Sequence, residues 1–241
     1  MRKRTSDCLE FFFLIWRKGI TMNWKIKTAM ILTLAMVLML SGCSLGEKED
    51  PSVAKANANY KNALQLIKAD QLAEAKGILE ESIELNATEG IYHIALGNIY
   101  LREDEKETAL SNFVRSIEKT PKYREAYNNA VGLYMLNNQY EQALTTVQEG
   151  LAIAPEDLEL TFKKAQIYFI QDKNEEAIEG FQFLIEADSE TYFEAYRFLG
   201  LSQLNLDLKE EAKMNLEKYI EVAPEAVPVR ESIENILSTL K

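Results

Sequence analysis

One histidine, His93, and two cysteines, Cys8 and Cys43, are the side chains in this 241-residue sequence best suited to zinc ligation or to nucleophilic chemistry near neutral pH. A single His among scattered carboxylates, with no spacing motif, does not make a metal site, and none is expected. Paired acids recur at Glu80-Glu81, Glu175-Glu176 and Glu210-Glu211. They read as solvated helix faces rather than as the opposed carboxylates of a glycosidase. The sequence has no Gly-rich phosphate loop and no Gly-x-Ser-x-Gly turn. His93 reads as a core or boundary residue. These residues therefore predict no enzyme and no cofactor.

Cys43 is different, because its context is specific. Lys25 and Lys27 precede an apolar run, Ala29 to Leu40, broken only by Thr33, and Leu40-Ser41-Gly42-Cys43 follows. Twelve residues fall short of the roughly 20 that a stable membrane span needs and suit the hydrophobic part of a secretory signal. Two small residues before a cysteine resemble the lipobox of bacterial lipoproteins. That resemblance implies cleavage before Cys43 and a lipid on its thiol, and so a lipid-anchored location on the extracytoplasmic side of the cell membrane. This is the outer face of the cytoplasmic membrane, or the periplasm where an outer membrane exists. The alternative is an uncleaved hydrophobic anchor ending near a Cys. Cys8 lies upstream, so the exported part would have no disulfide partner, and a two-chain lipid holds where one chain would not. Residues 22–42 are read as the signal peptide and residues 43–55 as a polar, lipidated tether. Residues 1–21 are either an extended leader or the product of a start assigned ahead of Met22.

Charge separates along the chain. Residues 1–42 hold seven Lys or Arg and two acids, which leaves 20 basic and 36 acidic residues beyond them, a net charge of −16. Such a surface repels phosphate backbones, so nucleic acid is excluded as a partner. Anionic headgroups are repelled as well, so attachment to a membrane falls to the lipid.

Beyond residue 55 the sequence repeats. Ala75, Ala109, Ala143 and Ala177 are 34 residues apart, as are Tyr100, Tyr134 and Tyr168, and Pro121 and Pro155. Ala212 and Pro224 resume the series after one extra residue, placed in the loop Glu186–Tyr192. Helix-favouring residues dominate and no segment alternates as a strand would. With Leu96-Gly97, Tyr100, Ala109, Phe113 and Pro121, the period resembles the tetratricopeptide repeat (TPR). The resemblance implies an all-α, right-handed α-solenoid of five helical hairpins at residues 56–89, 90–123, 124–157, 158–192 and 193–226. Residues 227–241 supply a capping helix with Ile233, Ile236, Leu237 and Leu240 on one face. The first repeat lacks the terminal proline, and the fourth has Asp188-Ser189 there. Leu184 and Tyr219 replace a small residue, which leaves the helix spacing at those two places open. Within each hairpin, Gly97, Ala165 and Gly200 are expected to face Ala109, Ala177 and Ala212.

In that family the first helix of each hairpin lines a concave channel that grips a protein or peptide. The resemblance assigns to the channel Ile94, Asn98, Leu101, Asn128, Met135, Glu159, Phe162, Phe169, Ile170, Arg197 and Leu201, with Asn129, Leu136, Lys163 and Gln166 beside them. The recurring Glu125, Glu159 and Glu194 would form an acidic edge. Ile94 and Glu159 stand where a carboxylate-clamping TPR has lysines, so recognition of a free C-terminus is not expected. The reading is a membrane-anchored protein-interaction scaffold. Its rivals are a structural subunit of an envelope secretion or assembly complex and an accessory factor presenting a cell-wall enzyme.

Overall fold

The computed structural model describes residues 50–225 and 227–240, and Asp50 caps the first helix among them. Its carboxylate accepts the Ser52 backbone N–H at 2.9 Å, and Pro51 sits in the first turn, where a missing N–H leaves nothing unsatisfied. Helix α1 therefore runs from Pro51 to Lys68, and Pro51–Lys55 are helix where the sequence suggested tether. The Asp-Pro start signal outweighs the polar composition that follows it. The expected signal segment, Cys43 and residues 44–49 of the expected tether lie outside the described residues.

Ten more helices follow: α2 (Leu72–Leu85), α3 (Ile91–Arg102), α4 (Lys106–Lys119), α5 (Arg124–Leu136), α6 (Tyr140–Ile153), α7 (Leu158–Ile170), α8 (Asn174–Asp188), α9 (Glu194–Asn205), α10 (Lys209–Val222) and α11 (Arg230–Thr239). Regular structure among the described residues is all helical. None of these helices is long and apolar enough to cross a membrane.

Each hairpin closes through the same device. Asp70, Asp104, Asn138, Asp172 and Asp207 follow the first helices and are left-handed, with φ of 62°, 60°, 56°, 56° and 60°. Their N–H groups, and those of the next residues, fold back onto the helix end, as in Asn138 N to Met135 O at 3.0 Å and Gln139 N to Tyr134 O at 2.8 Å. This is the Schellman motif, which satisfies carbonyls that a helix end leaves free. Asp and Asn are the non-glycine residues that best tolerate the left-handed region.

Within hairpins, small residues admit large ones. A Cβ on Gly97 would lie 2.7 Å from the Phe113 ring, and one on Gly200 2.7 Å from Leu216. A Cβ on Gly180 would lie 2.7 Å from the Ala165 methyl. For Gly97 and Ala165 those close approaches fall on Phe113 and Gly180, about one turn from the alanines expected to receive them, whereas Gly200 also meets the expected Ala212, whose carbonyl oxygen would lie 3.1 Å from a Cβ there. Ala109, Ala177 and Ala212 are nonetheless fully buried. The two bulky departures, Leu184 and Tyr219, are also fully buried, and the Tyr219 hydroxyl donates to Glu194 at 3.1 Å.

The extra residue of the fourth repeat lies partly inside the helix. Without a proline to stop it, α8 reaches Asp188 and spans 15 residues, against 14 for α4 and α6. In those two, Thr120 and Ala154 precede a proline and are held extended, which ends the helix.

First helices of neighbouring hairpins touch each other, α1 with α3, α5 with α7 and α7 with α9. Second helices have no such substantial pairing with one another. First helices therefore form the inner face of the solenoid. Between α8 and α9 the core is aromatic: Phe181 stacks on Phe198 at 5.2 Å, and both meet Phe162 edge-on at 5.9 and 6.0 Å. At the end, α11 lays Ile233, 3% exposed, against Leu216, Tyr219 and Ala223, with Ile236 and Leu237 half-buried beside it.

Candidate protein-binding groove

On the inner face, α3, α5 and α7 enclose a groove of ≈ 610 Å³. Its apolar lining comes from Leu101 on α3, Leu133, Met135 and Leu136 on α5, and Ile170 on α7. Leu136 and Ile170 share one register position, at the last residue of a first helix. No neighbouring side chain covers them there, and they remain 68% and 45% exposed. A soluble surface keeps few such residues together unless something binds them.

The opposite side of the groove is polar and internally satisfied. Lys163 donates to Asn128 Oδ1 at 3.0 Å, and Asn128 Nδ2 donates to Asp157 at 3.3 Å. Asp157, 3% exposed, also caps α7 by accepting the Leu160 N–H at 3.0 Å and pairs with Arg124 at 3.4 Å. A second strip links Asn129 to Asn98 at 3.3 Å and Asn98 to Glu125 at 2.9 Å. The groove can thus offer an apolar floor beside fixed amides and one ammonium, which suits a peptide held by side-chain anchors.

The structure brings together Leu101, Asn128, Met135 and Ile170 of the residues assigned from sequence, with Asn98 linked to the groove through Asn129 and Glu159 at its edge through an ion pair with Lys163. It places others elsewhere. Ile94 is 3% exposed and packs against α4 and α5 residues such as Phe113 and Ala130. Phe162 and Phe169 belong to the aromatic core, Phe169 lying 5.4 Å from Phe198. Arg197 stacks on Phe198 at 4.0 Å and pairs with Glu194, while Leu201 packs towards α10. Phe162, Phe169, Arg197 and Leu201 are taken up by packing because α7 and α9 have neighbours on both sides, and Ile94 on α3 is buried in the same way. The acidic edge is correspondingly weaker than expected: Glu159 and Glu194 are ion-paired, and Glu125 alone has no cation among the described residues. Gly132 and Leu133 line the groove and carried no sequence assignment.

Two further hollows lie between hairpins. One, of ≈ 350 Å³, contains His93, Tyr100, Thr108, Asn112 and Arg115. The other, of ≈ 410 Å³, is its equivalent 68 residues on, with Thr161, Tyr168, Glu176, Gly180 and Phe183. His93 is 5% exposed, and its Nδ1 lies 3.2 Å from Asn112 Oδ1. Asn112 Nδ2 donates to the Thr108 carbonyl at 2.9 Å, so its oxygen faces the ring and Nδ1 carries the proton.

Burial holds the His93 pKa below its usual 6.5, helped by Arg115 and Lys119 and opposed by Asn112 and Glu118. A depressed folded-state value means that this contribution to stability is complete above the unfolded pKa and is lost as pH falls through the folded one. The urea midpoint should therefore hold steady from pH 8 to 7 and fall below about 6.5. His93→Gln should flatten that limb; an identical slope in the variant would refute the assignment.

Stacked helical hairpins with a repeated turn and an inner groove define an α-solenoid fold. The tetratricopeptide repeat profile matches residues 193–225, the fifth hairpin. Among solved structures the chain resembles YrrB, described as a TPR protein with an unusual peptide-binding site. Identity is 18% and the TM-score 0.66, over 80% of this chain and 94% of that one. It also resembles MamA from Desulfovibrio magneticus RS-1, with 19% identity and a TM-score of 0.61 over 70% and 94% of the two chains. Pseudomonas aeruginosa pilF is similar too, with 13% identity and a TM-score of 0.59 over 79% and 90%. At such identities the likeness is one of fold. No curated protein sequence matches the chain.

Proposed function

We propose that this protein is a lipid-anchored scaffold of the bacterial cell envelope that holds a segment of a partner protein in the groove of α3, α5 and α7. The observation that carries this reading is the exposed set Leu101, Leu136 and Ile170 beside fixed amides. The fold supports a binding role over a catalytic one, and a peptide-binding site is described for the similar YrrB. Anchoring rests on Leu40-Ser41-Gly42-Cys43. A lipid on Cys43 would keep the array at the membrane while an acidic surface stays clear of anionic headgroups.

One experiment tests both halves. A photocrosslinking amino acid is placed at position 136, and at position 214 as a control, since Met214 is 70% exposed on α10 outside the groove. Irradiated cells should give a discrete adduct from position 136 alone, and it should sediment with membranes. Cys43→Ala should leave an uncleaved precursor, while the wild-type protein should begin at an acylated Cys43 by mass spectrometry. Equal labelling from both positions would remove the groove reading, and an unacylated N-terminus elsewhere than Cys43 in the wild-type protein would remove the lipid.

A further inference from the structure

We propose that Gly132 opens a socket in the groove floor for one bulky apolar side chain, leucine-sized or aromatic, of a bound peptide whose flanking residues are basic. The proposal rests on the groove reading above and specifies its ligand.

A glycine inside a helix destabilises it relative to alanine, so it calls for a reason. For Gly97, Gly150, Gly180 and Gly200 the reason is packing, since a Cβ on each would come within 2.7 Å of a neighbour. Gly132 lies mid-way along α5, and a Cβ there would meet nothing within 4 Å. Packing therefore does not require it. Gly77 is equally open, but it is exposed on α2, where a missing side chain leaves no enclosed space. Gly132 is half-buried and lines the ≈ 610 Å³ groove alongside Leu101, Leu133, Met135, Leu136 and Ile170. At the same register position the other four hairpins carry side chains, namely Leu64, Asn98, Gln166 and Leu201. The third hairpin alone of these omits one, at the place where apolar groups from three helices converge.

Charge identifies what flanks the anchor. Glu125 stands on the same helix two turns before Gly132, exposed, bonded to the Asn98 amide and paired with no cation among the described residues. The groove also opens onto the C-terminal ends of α3, α5 and α7, where helix dipoles favour positive charge. Residues 43–241 carry a net charge of −16. A Lys or Arg within a few residues of the anchor is the complementary arrangement.

The test uses 13-residue peptides of Lys and Ser with one central guest, Ala, Leu or Trp, labelled for anisotropy and titrated against the full chain, Gly132→Ala and Leu136→Ser. The Leu and Trp peptides should bind the full chain at least tenfold more tightly than the Ala peptide. Gly132→Ala should raise the melting temperature yet cut that preference at least fivefold, leaving the Ala peptide unchanged. A preference that survives Gly132→Ala but vanishes in Leu136→Ser would overturn the socket and leave the groove standing. No preference, with no effect of Leu136→Ser, would overturn both. A lowered melting temperature in Gly132→Ala would also overturn the socket, because the space would then be needed for folding.

Discussion

Phe181→Ala should weaken the fourth and fifth hairpins, which meet at its ring, far more than the rest, turning one unfolding transition into two. Phe181 is fully buried, stacked on Phe198 and edge-on to Phe162, so three first or second helices meet on its ring. Truncating such a residue leaves a cavity and costs about 3–5 kcal/mol. In a solenoid that loss stays local, because each hairpin contacts only its neighbours. Guanidinium unfolding followed by circular dichroism should show an early transition with about two-fifths of the helical signal, and amide exchange should assign it to α7–α10. A single transition shifted by less than about 1 kcal/mol would mean that the cluster is not the junction described here.

Deleting residues 228–241 should be nearly as damaging. Helix α11 buries Ile233 and half-buries Ile236 and Leu237 against the face formed by Leu216, Tyr219 and Ala223. Burying one such side chain is worth about 1.5–3 kcal/mol, so the last hairpin should lose several times RT. The uncovered face should also drive association, seen as concentration-dependent light scattering, while α1–α6 keep their exchange protection. Unchanged solubility and melting temperature in the truncated protein would show that α11 is no cap.

Much of this architecture was legible because the repeat writes it several times. The alanine and tyrosine series set the period, and the Asp or Asn at each turn was visible at 104, 138 and 172 as polar punctuation. Its left-handed backbone was not, since a polar turn residue has several conformations open to it. The groove was harder to read. Register says which residues share a face of a helix, but not which faces a neighbouring hairpin covers. Ile94, Phe162 and Phe169 have the same apolar character as Leu136 and Ile170 and differ only in having neighbours. Gly132 escaped for the opposite reason. A residue without a side chain contributes nothing to an apolar pattern, and its meaning came from the space around it. The Asp157 cap joined to Asn128 and Arg124 crosses between hairpins, which no single-repeat pattern displays.

The five turns that close through Asp70, Asp104, Asn138, Asp172 and Asp207 bear on how the chain is made as well as on how it stands. Each ties together residues a few positions apart, and each hairpin then finds its partner within the next few dozen residues. Chains with such short-range wiring collapse to their final form in microseconds to milliseconds, with little loop-closure entropy to overcome. A protein that emerges from the ribosome amino end first can therefore assemble hairpin by hairpin, with no need to wait for its C-terminus. Each hairpin leaves an open face until the next arrives, and the face of α10 stays open to misassociation until α11 covers it.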